Sequence, residues 1–159
     1  MNCDLCERNA QIDRGEDDLA VARLSTGYVK LMPNQYFRGS TFFQAKSCVP
    51  ELHTLAPDER AQFMREMVEV SAAMWRAFSP RKLNYELLGN SCPHLHWFLI
   101  PRYDTDPHPR GPAWEDPNFL RLLWTDQGRL PPAERDEMRA SLLAELRAAD
   151  VEIEVSFVR

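Results

Sequence analysis

The stretch Asn90-Ser-Cys-Pro-His-Leu-His-Trp-Phe-Leu-Ile-Pro-Arg102 constrains this chain more than any other. Two of the 4 His sit in it with one residue between them, inside an apolar run that continues to Pro101. Such a run predicts a strand, with Pro101 as its end. Side chains alternate across a strand, so His94, His96, Phe98 and Ile100 share one face and Leu95, Trp97 and Leu99 the other. The aliphatic and indole face suits a core. The opposite face holds two imidazoles side by side, a rigidly placed polar pair that asks for a reason.

At 159 residues the chain is expected to form one domain, residues 1–159, large enough to bury a core without staples. A net charge of -5 and a pI near 5.4 argue against a general DNA or RNA backbone binder, while leaving room for a local basic pocket around a nucleotide. No apolar run approaches the roughly 20 residues that a bilayer span requires, and the start Met-Asn-Cys-Asp-Leu-Cys-Glu is unlike a signal peptide. A cytoplasmic protein without a membrane partner is expected. There, Cys3, Cys6, Cys48 and Cys92 read as thiols or metal ligands rather than disulfides.

Along the chain, Cys3-Asp-Leu-Cys6 reads as a knuckle with metal-site spacing, and Gln11 to Asp18 as a polar loop. Strands are predicted at Leu19 to Ser25 and Tyr28 to Met32, forming a hairpin, and at Ser40 to Lys46. From Pro57 to Phe78 the period becomes 3.6, with Phe63, Met64, Met67, Ser71, Met74, Trp75 and Phe78 in one stripe. Pro57, Asp58 and Glu59 suit the start of that helix, and Ser79-Pro80 stops it. Lys82 to Leu88 is the next strand, joined by a Gly89-Asn90 turn to the strand of the paired His. Tyr103 to Asn118, with four Pro, is a loop. Phe119 to Trp124 reads as a short helix or strand. Pro132 opens a helix carrying Met138, Leu142, Leu143 and Leu146, and Val151, Ile153, Val155 and Phe157 alternate along a half-buried terminal strand. No P-loop, dinucleotide fingerprint or Ser-centred nucleophile elbow is present.

Three groups of residues suit chemistry. His94 and His96 fit a nucleophile, two ligands of one metal, or one of each; the plain alternative is a solvated strand face. Cys3 and Cys6 supply two thiolates toward a tetrahedral site, with Cys48, Cys92, His53, His94, His96 and His108 as candidates for the other positions. A redox pair fits less well, because the knuckle is not read as lying between a strand and a helix, where a helix end would stabilise a thiolate. Arg102 suits a phosphate contact, or a pairing with Asp104 or Asp106. Trp75 and Trp97 read as core.

The run His94-Leu-His-Trp-Phe-Leu-Ile-Pro-Arg102 resembles the signature of the histidine triad (HIT) superfamily, His-φ-His-φ-His-φ-φ followed by Pro-Arg, where φ is apolar. Upstream, Lys46-Ser-Cys48-Val, Leu52, Leu55, Pro57 and Glu59 resemble that family's approach to its long helix, and the N-terminal Cys-x-x-Cys is similar to its zinc-bearing branch. The resemblance covers roughly residues 1–103, with 104–159 as an extension of the kind seen in bacterial members similar to diadenosine tetraphosphate hydrolases. It implies an α+β fold: an antiparallel sheet of about five strands with one long helix, plus a C-terminal helix and strand, and often a homodimer.

The resemblance further implies a hydrolase or transferase acting on the α-phosphate of a nucleotide or dinucleoside polyphosphate. His96 would be the nucleophile, with Asn90, Ser91 and Arg102 contacting phosphate. Registering Leu52, Leu55 and Pro57 puts Cys48, not His53, at the family's fourth ligand position, implying structural zinc held by Cys3, Cys6, Cys48 and His94. Two features depart from the pattern. Phe98 stands where the third His belongs, and Asn90-Ser-Cys-Pro replaces a Gly-Gln phosphate loop. A nucleotide binder with weak or no turnover, and a zinc-stabilised protein-interaction module, are the rival readings.

Overall fold

The computed structural model describes residues 3–123, 125 and 127–158. In chain order the elements are α1 (Asp4–Asp13), β1 (Ala20–Leu24), β2 (Gly27–Leu31), β3 (Thr41–Ala45), α2 (Pro57–Phe78), β4 (Lys82–Glu86), β5 (His96–Arg102), α3 (Pro117–Leu122), α4 (Pro132–Arg147) and β6 (Ile153–Ser156). Short 3-10 turns lie at Leu52–Thr54 and Ala113–Glu115. The strands form one antiparallel sheet in the order β4-β5-β3-β2-β1-β6, so the fold is α+β as expected: a sheet of five strands with the C-terminal strand β6 added at its edge.

The long helix has the predicted bounds, and its ends explain why. Pro57 occupies the first turn beside Asp58 and Glu59, and Ser79 closes the helix in a left-handed conformation (φ 47°) with its N–H on the Trp75 carbonyl. Phe63, Met67, Ser71 and Met74 face inward as predicted, joined by Val70 and Ala73. Trp75 does not: it is 48% exposed, because it lies about 100° around the helix from Met74. Buried Glu66 was not anticipated at all. Its carboxylate accepts from the N–H groups of Ser25 and Thr26 at 3.1 and 3.0 Å and from Gln62 at 3.0 Å, and so ties α2 to the β1–β2 turn.

One sheet face carries Val29, Leu31, Phe43 and Leu99 and is covered by α2 and α4, with Phe43 stacked on Phe63 at 4.9 Å. Met138, Leu142, Leu143 and Leu146 are all buried there, as their spacing predicted. The opposite face has two separate covers. Ile12 of α1 packs on Ala20 and Tyr28 at one end. At the other, Ala113, Phe119 and Leu123 close over Met32, Phe37, Phe98 and Ile100.

Several local expectations change. The segment after Cys3 is a helix through Asp13, not a knuckle followed by a loop; six of its ten residues are polar and only Asn9 and Ile12 are buried, so it lacks a continuous apolar stripe to announce it. Pro101 lies within β5 rather than ending it. It sits past the last β3 partner, Leu99, where the strand pairs only with β4 and the missing N–H costs no ladder bond to β3. The connection from β4 to β5 spans residues 87–95 rather than a tight turn, and Trp124 lies outside the described residues. No described helix is long and apolar enough to cross a membrane.

Candidate functional site

Two centres share the short path from residue 90 to residue 98. The first is built around His94. Its Nδ1 lies 3.4 Å from Cys3 Sγ and 3.6 Å from Cys6 Sγ, and the ligand atoms of Cys3, Cys6, Cys48 and His94 all fall within 4.8 Å of one another. On the other side of the ring, Nε2 is 2.8 Å from the Ala45 carbonyl. A carbonyl only accepts, so the proton is on Nε2 and the Nδ1 lone pair faces the thiols.

These distances fit a metal. Zinc bond lengths in a tetrahedron give an N···S edge of about 3.5 Å, matching both His94 contacts. Three thiols and an imidazole are a soft donor set of the right number, and the set leaves no open position. The thiols also compete for charge. Although burial raises it, Cys3 is pulled down to about 6 by the Cys6 backbone N–H and by His94, while burial and its thiol neighbours push Cys6 up to about 12. Cys3 occupies the N-cap position of α1, without a side-chain capping bond, and Cys6 lies in its first turn, so the thiols do sit at a helix end, contrary to expectation. Among the described residues, Cys3, Cys6, Cys48 and His94 can hold a metal ion together.

The second centre is the cleft left open between the two covers of the sheet. It has a volume of about 610 Å³. Its floor is set by register: Gln44 pairs with His96 and Phe42 with both Lys30 and Phe98, so these side chains form adjacent rows on one face. Asn90, Ser91 and Cys92 from the β4–β5 connection rim it, with Gly89 at φ 77°, a backbone that favours glycine, turning the chain toward it.

The His96 ring is fixed by the backbone just ahead of its own strand. Its Nδ1 lies 2.6 Å from the His94 carbonyl, which fixes Nδ1–H as donor and leaves the Nε2 lone pair without a partner among the described residues. Burial lowers its pKa and outweighs the opposing hydrogen bond to His94, favouring the neutral, nucleophilic ring. Beside it, Phe98 is 5% exposed and belongs to an aromatic cluster, 5.4 Å from the His96 ring, 4.5 Å from Phe42 and 6.1 Å from Trp114. Phe98 therefore packs into its own cluster and leaves the cleft open.

Arg102 lies elsewhere. Only 2% exposed, its guanidinium bonds Asp106 at 2.9 Å, the Gly111 and His108 carbonyls at 2.7 and 2.8 Å, and stacks over Phe37 at 4.4 Å. It does not line the cleft, so the expected phosphate contact is replaced by a scaffold role: the bland pairing with Asp106 is the one formed. The loop it anchors brings Trp114 over Phe98, where the indole N–H donates to Glu86. Residues missed by the sequence reading, Arg8, Lys30, Gln44 and Arg129, line the cleft from outside the motif. Their only sequence signal is the strand alternation that puts Lys30 and Gln44 on the His96 face.

The HIT domain profile matches residues 43–105. Solved structures match more of the chain. A histidine triad protein from Sinorhizobium meliloti is 21% identical with a TM-score of 0.67, over 86% of this chain and 93% of that one. A histidine triad protein from Marinobacter aquaeolei is 24% identical with a TM-score of 0.65, over 92% and 97%. A hypothetical histidine triad nucleotide-binding protein from Sulfolobus tokodaii is 16% identical with a TM-score of 0.67, over 90% and 93%. No curated protein sequence matches the chain. The chain therefore has the HIT fold, with a HIT domain match over residues 43–105.

Proposed function

We propose that the chain is a member of the HIT superfamily that cleaves a nucleotide or dinucleoside polyphosphate at the α-phosphate through His96. The observation that carries this reading is the His96 ring, tied at Nδ1 to the His94 carbonyl with Nε2 free at the edge of the cleft. The Nε2 lone pair attacks the α-phosphorus and the bond to the leaving oxygen breaks. Water, or another acceptor, then attacks the same phosphorus, loses a proton and releases the nucleotide, restoring the imidazole. Asn90 and Ser91, on the rim, donate hydrogen bonds to the phosphate.

Phe98 has no proton to give, so the leaving group must depart as a stable anion. A polyphosphate chain meets that need and a simple alkoxide does not. Zinc on Cys3, Cys6, Cys48 and His94 completes the reading; with every position taken it is structural, and it holds the N-terminus against the strand that carries His96. Thiols used this way suit the cytoplasm, and a homodimer remains part of the proposal.

A second reading has one observation in its favour. Phe98 is enclosed by Phe42 and Trp114, which suits a cleft that binds nucleotides without turning them over. A panel of dinucleoside polyphosphates and nucleoside phosphoramidates, assayed with wild type, His96→Ala and Phe98→His, separates the two. Turnover by wild type that vanishes in His96→Ala supports the enzyme. Silence in wild type with activity in Phe98→His supports the binder.

A further inference from the structure

A cleft that takes a phosphate needs a cation, and Arg102, Lys30 and Arg129 each already have a partner. Arg102 is buried against Asp106 and two carbonyls. Lys30 lies on the cleft floor, but its ammonium is paired with Asp17, and the side chains are only 3% and 10% exposed. Arg8 is different. It is exposed, it lines the cleft with His96, Asn90 and Ser91, and it makes no hydrogen bond or ion pair among the described residues.

The helix explains that placement. At 100° per residue Asp4, Leu5 and Arg8 occupy one arc of α1 and all three line the cleft, while Cys3 and Cys6 fall on the far side among the thiols. One residue further on, Asn9 donates to the Ala45 carbonyl at 3.0 Å and accepts from Gln44. That carbonyl also accepts from His94 Nε2. The backbone bearing Arg8 is thus registered directly on the strand that borders His96, and its exposed side chain lines the cleft with no ion pair among the described residues.

We propose that Arg8 is the cation that binds the substrate's phosphate in the His96 cleft, a role supplied from outside the matched segment 43–105. This rests on the reading of the cleft as a nucleotide site. Arg8 takes up the charge that Arg102 withholds. Asp4, on the same arc, opposes it, so the two residues should move phosphate affinity in opposite directions.

The test is calorimetric titration of the full-length, metal-loaded chain with AMP and with adenosine, in wild type, Arg8→Gln, Arg8→Lys and Asp4→Asn, with metal content measured for each. Arg8→Gln is expected to weaken AMP about tenfold or more, as loss of a charge-assisted contact does, and to leave adenosine unchanged. Arg8→Lys recovers part of the loss and Asp4→Asn tightens AMP. A merely structural role for Arg8 would weaken both ligands or lower the metal content, and that result overturns the proposal. So does an AMP preference in Arg8→Gln equal to wild type, which leaves the nucleotide reading intact. A wild type that binds neither ligand overturns both.

Discussion

His96 Nδ1 lies 2.6 Å from the backbone oxygen of His94, so the residue that turns its ring to the thiols also sets the ring that faces the cleft. The two centres are coupled through one carbonyl. His94 is fixed in turn by Nε2 on Ala45, and the orientation of His96 therefore depends on the cysteine cluster without any thiol touching it.

The first prediction follows from the free Nε2. His96→Ala should reduce turnover on the order of 10⁴-fold or more, as removing a nucleophile does, with the chain still folded at the assay temperature. His96 is 8% exposed and its hydrogen bond is to the carbonyl of His94, itself 1% exposed, so the truncation should cost about 1–3 kcal/mol of stability, too little to explain the loss of turnover by unfolding. Single-turnover assays and thermal melts on the same preparations check both halves.

Metal content is the second. The chain purified without chelator should carry about one zinc, and less than about 0.2 per chain would sink the ligand assignment. Cys48→Ser should lower zinc occupancy and the melting temperature, by on the order of 10 °C, since several kcal/mol of metal binding free energy is coupled to folding. Elemental analysis and melts with and without added chelator give both quantities.

How much of this was legible in the sequence depends on what carried each signal. The long helix and the C-terminal helix were readable because their apolar residues repeat at 3.6, and β5 because its residues alternate. Cys48, which lies 42 residues from Cys6 in sequence and on no element, was brought to the cluster only by the resemblance of residues 46–59 to the HIT pattern; spacing alone left it one candidate among several. α1 could not be read, because a helix pinned by two thiols and Asn9 needs no apolar stripe. Arg102 misled for a related reason: the Pro-Arg pair is visible, but the carbonyls of His108 and Gly111 that consume its guanidinium come from a Pro-rich loop whose path no periodicity encodes.

That geometry makes the third prediction. Arg102→Lys should destabilise the fold by about 3–5 kcal/mol, because a single ammonium cannot replace the guanidinium fork and Asp106 is left buried and under-paired. A phosphate contact would behave differently, weakening ligand at constant stability. Denaturant unfolding and AMP titration on the one variant distinguish these outcomes.

The fourth concerns Glu86, which accepts from the Trp114 indole at the wall beside Phe98. Burial raises its pKa above the ordinary 4.5, and the opposing charge of Arg102 does not cancel that. A carboxyl whose folded pKa is raised binds a proton more tightly when folded, so its ionisation works against folding. That penalty is absent below the unfolded value, grows as pH rises toward the folded one, and is complete above it. Glu86→Gln keeps an oxygen for the indole and removes the charge. It should melt higher than wild type at pH 7, with the difference closing as pH falls toward 4.5. Melting curves of the two proteins across that range check the sign, and a variant that melts lower at pH 7 would mean that the charge on Glu86 strengthens its hold on Trp114 by more than burial costs.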